Sequence, residues 1–225
     1  MHLKDEVKIE ALLFDLDGTL VDTASDFIQV LNAQRLAYGL PQLPELLIRN
    51  TVSDGARALT ELAFGGKEGE EKFEQKRTEL LNRYAECVGD HSALFEGMDK
   101  VLALCEHNNI PWGIVTNKPR LYTDILLKKL ELYHRSAITL CPEDVHHSKP
   151  NPESLLLAAS SLKLNCKNTI YIGDHERDVQ AGKAALMPTV AAQYGYIKDE
   201  NDLLNWGADY IITHPSELIS LFLPR

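Results

Sequence analysis

The chain has 225 residues, 44% of them hydrophobic and 25% charged, with a formal net charge of −10, ordinary proportions for a globular protein with one good core and room for a smaller second unit. That charge leaves no global field to hold nucleic acid or an anionic membrane, so a phosphate-bearing partner has to be met by local cations or by a metal. The apolar run of the charged N-terminal stretch is too short for a signal peptide, and no run approaches the ~18 apolar residues of a membrane span. Cys87, Cys105, Cys141 and Cys166 are scattered without metal or redox spacing, so reduced thiols in a cytoplasmic protein are expected; separately, a monomer or homodimer is expected.

In chain order, "KIEALLF" is apolar enough for a strand buried on both faces. It runs straight into "DLDGTLVD", which places Asp15, Asp17 and Asp22 within eight residues. Like charges this close repel, and gathering them costs free energy unless a cation sits among them. Residues 22–90 then carry helical periodicity in "TASDFIQVLNAQRLAYG", "LPELLIRN", "GARALTELAFGG" and "EEKFEQKRTELLNRYAECVG", punctuated by Gly39, Pro41, Pro44, Gly65 and Gly66. An all-helical cap inserted after the first strand is the expectation. From residue 91 onward, short apolar runs ("PWGIVTN", "SAITLC", "NTIYIGD", "MPTVAAQYG", "DYIIT") alternate with helical stretches. That alternation predicts βα units and a parallel sheet. The expected organisation is an α/β, Rossmann-like core of residues 1–21 and 91–225, interrupted by the cap at 22–90. Pro119 and Pro152 are expected in the first turns of helices, where a missing N–H costs nothing.

Ligands of open parallel sheets bind beyond the carboxyl ends of the strands. Those ends carry Asp15, Asp17 and Thr19 in one segment, Thr116 and Asn117 in a second, Lys149 after a third, and Asp174 with Asp178 in a fourth. A calcium loop is excluded: counted from Asp15, the position that must be Gly is Leu20, and the preceding element reads as a strand. Asp22 reads as the cap of the first inserted helix, and His146 and His147 as loop residues.

DxDGT at Asp15–Thr19, a strand-terminal Thr116, Lys149 and GDxxxD at Gly173–Asp178 stand in order over nearly the whole chain. Together they resemble the phosphatases of the haloacid dehalogenase superfamily. The resemblance implies that Asp15 is the nucleophile of an aspartyl-phosphate mechanism. It implies Mg²⁺ held by Asp15, the main-chain carbonyl of Asp17, and Asp174. The Asp17 side chain then serves as acid and base. Thr116, Asn117 and Lys149 would hold the phosphoryl group, with Asp178 in support. His175 and Ala185 depart from the common family pattern.

A helical cap implies a small phosphorylated metabolite as substrate. The motifs resemble phosphoglycolate phosphatases first and N-acetylmuramic acid 6-phosphate phosphatases second. A β-phosphoglucomutase-like mutase and a non-catalytic binding protein rank behind both. Within "RNTVSDGARAL", Arg49, Ser53, Asp54, Gly55 and Arg57 are the cap residues expected to face substrate. The two arginines either meet a substrate carboxylate or lie in surface ion pairs.

Overall fold

The computed structural model describes residues 9–222. Lys8, which opens the first expected strand, and the rest of 1–8 lie outside that range. Eight strands form among the described residues: β1 (Ala11–Phe14), β2 (Val21–Asp22), β3 (Ala93–Leu94), β4 (Trp112–Val115), β5 (Thr139–Leu140), β6 (Thr169–Gly173), β7 (Thr189–Ala192) and β8 (Tyr210–Ile212). The six apolar runs expected as strands make one parallel sheet of order β5-β4-β1-β6-β7-β8. Leu12 of β1 sits opposite Trp112 on one side and Ile170 on the other. The two remaining strands pair antiparallel with each other.

Between β2 and β3 the chain is helical: α1 (Ala24–Ala37), α2 (Glu45–Arg49), α3 (Gly55–Phe64) and α4 (Glu71–Cys87). After β3 come α5 (Met98–His107), α6 (Arg120–Lys129), α7 (Glu153–Leu162), α8 (Glu176–Ala184), α9 (Glu200–Leu203) and α10 (Glu217–Phe222). Pro119 and Pro152 stand at the N-caps of α6 and α7, one residue before the expected first turn.

The sheet is buried on both faces, which is why its strands read as continuous apolar runs. Leu12 and Phe14 pack with Ile114, Ile170, Ile172 and residues of α5 and α10. Leu13 points to the other layer, with Val115, Tyr171 and residues of α7 and α8. Each such Leu or Phe contributes about 1.5–3 kcal/mol through burial. The helical insert joins the first layer through Phe27, Leu59, Leu80 and Tyr84. Its return is pinned by the buried Asp26 carboxylate, which accepts from Gly89 N, His91 N and Ser92 Oγ at 2.8, 2.8 and 2.6 Å. Strands β4 and β5 lie to one side of β1 and β6 to β8 to the other. The topological switch point therefore falls at the carboxyl end of β1, below the insert.

Candidate active site

Four strand ends converge at that switch point. Carboxylate oxygens of Asp15, Asp174 and Asp178 lie within 4.8 Å of one another, and all three residues are buried. The fully buried Lys149 ammonium reaches Asp15 Oδ1 (2.8 Å) and Asp178 Oδ1 (2.7 Å). It also donates to Val115 O (2.9 Å) and Tyr171 Oη (2.8 Å). Asn117 clamps the Lys149 backbone in both directions, its Nδ2 donating to the carbonyl (3.0 Å) and its Oδ1 accepting from the N–H (3.2 Å). Its side chain thus fixes Lys149 while Asn117 also lines the cavity. Asp178 also accepts from His175 N (3.1 Å), closing the first turn of α8.

Asp174 is crowded. Oδ2 accepts from Ser53 Oγ (2.9 Å) and Tyr196 N (3.0 Å), and Oδ1 from Thr19 Oγ1 (3.2 Å). Gly18, at φ +80°, lies so near that a Cβ there would fall 2.1 Å from Asp174 Oδ2; only glycine fits the turn after the aspartates. Burial and the charges of Asp15 and Asp178 push the Asp174 carboxyl up to about 7, despite its hydrogen bonds. Burial acts the same way on Asp15, but the Lys149 ammonium and the Arg177 guanidinium outweigh it and hold that carboxyl below its ordinary range. Two neighbouring acids are thus driven apart, the pattern expected of a built site.

Asp17 turns away from this cluster. Its Oδ1 accepts from Thr23 Oγ1 (2.6 Å) and from Lys118 Nζ (2.9 Å). Lys118 is a residue that the sequence motifs did not single out. Thr116 Oγ1 accepts from Lys118 N (3.1 Å) at the end of β4. A cavity of about 360 Å³ opens above Asp15, Asp17, Thr116 and Asn117, roofed by residues 52–57 and by α4.

The five cap candidates divide. Ser53, Asp54, Gly55 and Arg57 line the cavity. Arg49 does not: its guanidinium is engaged by both oxygens of Asp22 (3.1 and 2.9 Å) and stacks over Tyr196. The surface-pair alternative describes it. Arg57 also pairs with Glu68 (3.1 Å). Arg77 of α4 and Arg177 of α8 line the cavity too, neither legible in a motif. The N-cap of α1 is Thr23 and not Asp22 as expected; Asp22 lies one residue earlier, at the end of β2, and accepts from Ala24 N (3.3 Å). His175 caps α8 through Nδ1, and its Nε2 lies 3.3 Å from Asp54 Oδ1. His146 and His147 stand in an exposed loop held by Glu153.

The family model of the haloacid dehalogenase-like hydrolases matches residues 12–192. The chain belongs to this family. An N-acetylmuramic acid 6-phosphate phosphatase of Pseudomonas putida is 44% identical over 212 residues, covering 94% of this chain and 95% of the relative. A phosphoglycolate phosphatase of Xanthomonas campestris is 38% identical over 208 residues, covering 92% and 94%. The crystal structure of a predicted phosphoglycolate phosphatase from Haemophilus somnus superposes with a TM-score of 0.83, covering 94% of this chain and 97% of that one. At 23% identity it speaks for the fold alone. A phosphatase at 44% identity over almost the full length makes this family member a phosphoric monoester hydrolase. Among the described residues no helix is long and apolar enough to cross a membrane.

Proposed function

We propose that this phosphatase hydrolyses N-acetylmuramic acid 6-phosphate through an aspartyl-phosphate intermediate, acting in the cytoplasm without nucleic-acid or membrane partners. The observation that carries the reading is the 44% identity, over 94% of the chain, to a phosphatase of that ester. It reverses the order expected from the sequence, in which phosphoglycolate came first. The cavity supports the same order. A two-carbon acid fills about 360 Å³ only in part, whereas a sugar phosphate with acyl and lactyl arms uses it. Arg57 and Arg77 line it as candidate partners for the lactyl carboxylate.

The division into a core of 1–21 and 91–225 and a cap of 22–90 belongs to this proposal. It is supported by four consecutive helices with no sheet strand between α1 and α4. The donor set suits a hard dication: burial and then mutual repulsion raise Asp174, and a dication among the carboxylates relieves both. Asp15, the Asp17 main-chain carbonyl and Asp174 would hold Mg²⁺, which supplies charge neutralisation for an anion attacking an anion.

Asp15 attacks phosphorus, and the bond from phosphorus to the sugar oxygen breaks as Asp17 gives that oxygen a proton. Asp17 then takes a proton from the water that attacks the aspartyl phosphate, releasing inorganic phosphate and restoring both carboxyl groups. Lys149, held by Asp178 and Asn117, offsets the negative charge that builds beside Asp15. The Thr116 hydroxyl and nearby N–H groups orient the phosphoryl oxygens.

Phosphate release with Mg²⁺ from N-acetylmuramic acid 6-phosphate, phosphoglycolate and common sugar phosphates tests the reading. The muramic ester should exceed phosphoglycolate in kcat/KM by about tenfold or more, the scale that lost pocket contacts set. The opposite ranking overturns the substrate, and no release from any ester overturns the reaction. Asp15→Asn should abolish turnover with the melting temperature retained; turnover near wild type overturns the nucleophile.

A further inference from the structure

We infer that Lys118 is a positioning residue: it holds the Asp17 carboxylate for proton transfer and ties it to the helical insert. The inference rests on the reading of Asp17 as acid and base. Lys118 lies three residues past β4, with its side chain only 4% exposed. A buried ammonium is costly unless every face of it is met. Here it donates to Asp17 Oδ1 (2.9 Å) and Tyr84 Oη (2.7 Å). It also lies over the rings of Phe27 (5.3 Å) and Tyr84 (4.8 Å), which stack on each other 4.0 Å apart.

These partners come from three separate pieces of chain: the loop after β1, helix α1 and helix α4. Tyr84 belongs to the insert, so a shift of α4 is felt at the carboxylate through one ammonium. Thr23 Oγ1 donates to the same Asp17 Oδ1 (2.6 Å). Among the described residues both donors act on Oδ1 and none on Oδ2, while Asp17 borders the cavity. Oδ2 is therefore the oxygen left to exchange protons with substrate and water. Enclosed by the Asp17 carboxylate, the Tyr84 phenol and the Phe27 ring, the ammonium has little surface left for the substrate. It works through Asp17, which separates it from Lys149, whose ammonium reaches Asp15 directly.

The test is steady-state kinetics on N-acetylmuramic acid 6-phosphate for Lys118→Met, Tyr84→Phe, Asp17→Asn and the Lys118→Met/Asp17→Asn double variant, with melting temperatures alongside. Lys118→Met should lower kcat about 10²-fold, the loss that an ångström of misplacement brings, and leave KM within about threefold. Tyr84→Phe keeps the ring and the ion pair and should cost kcat about threefold to tenfold, again without KM. It serves as the readout if Lys118→Met does not fold. In the Asp17→Asn background Lys118→Met should add nothing further, because its effect runs through that carboxylate. The inference is overturned if kcat is unchanged in both Lys118→Met and Tyr84→Phe. It is overturned equally if the loss falls on KM, the mark of direct substrate contact, or if the two losses multiply in the double variant. Absence of turnover in the wild-type enzyme would strike the proposed function instead.

Discussion

Asp54 shows how much a single side chain reports on the junction between insert and sheet. It sits in the turn before α3, 3.3 Å from His175 Nε2, and is also paired with the Lys198 ammonium. Partial burial opposes its charge, but the His175 and Lys198 contacts outweigh that and hold the carboxyl at about 2. A folded-state value below the unfolded one means stability that is fully present above about pH 4 and lost as pH falls through about 2. Asp54→Asn should therefore be less stable than wild type in urea at pH 7, by about 1 kcal/mol at this partly exposed site. The gap should close between pH 4 and 2; a gap independent of pH would show that the pair contributes nothing. At this scale the sequence was legible wherever chemistry dictates the residue type. Asp15, Lys149, Asp174 and Asp178 meet at one sheet edge, as their places after strands required, while the Asp17 side chain lies beside them on Thr23 and Lys118. Lys118, Arg77 and Arg177 were not legible, because a cation on a helix or loop reads as solvated until the fold shows what encloses it. For Arg49 the sequence left an ion pair and a substrate contact open, because its partner Asp22 is 27 residues away.

At the scale of elements, the six sheet strands and the four insert helices were legible because both kinds of periodicity are strong in this chain. The β2–β3 ladder was not, since two residues per strand carry no alternation to detect. The end of α8 is more instructive. Ala185 departs from the pattern of the family resemblance, a departure expected to affect packing alone. The left-handed position is the next one, Leu186, at φ +59° and 70% exposed. Leu186 N donates to Lys183 O (3.0 Å) and Met187 N to Gly182 O (2.9 Å), the paired bonds of a Schellman ending. A leucine in that conformation costs about 1–2 kcal/mol, and its exposed side chain recovers little of it by burial. Leu186→Gly removes the strain but adds freedom to the unfolded chain. The net expectation is a gain of about 0.5–1 kcal/mol, read as a higher denaturation midpoint with unchanged kcat. A lower midpoint would mean that the side chain packs more than its exposure implies.

Across the whole molecule, an acidic chain of net charge −10 gathers three carboxylates at the one place where the fold converges. The arrangement makes stability depend on pH and on cations together. Burial, with the charges of Asp15 and Asp178, raises the Asp174 carboxyl to about 7. The metal-free native state therefore holds a proton that the unfolded chain releases near pH 4. Its stability falls as pH rises from about 4 to 7. A dication among the carboxylates displaces that proton, so Mg²⁺ should bind more tightly, and stabilise more, as pH approaches 7 from below. At a hundredfold excess over its dissociation constant it would add about 2.7 kcal/mol, about 5–10 °C in melting temperature for a chain of this size. Thermal unfolding with Mg²⁺ and with EDTA, at pH 5.5 and 7.5, measures both halves of the claim. The increment should be clearly larger at pH 7.5 and should vanish in Asp174→Asn. An increment equal at the two pH values would detach it from Asp174, and one that survives the substitution would move the cation elsewhere on the acidic surface.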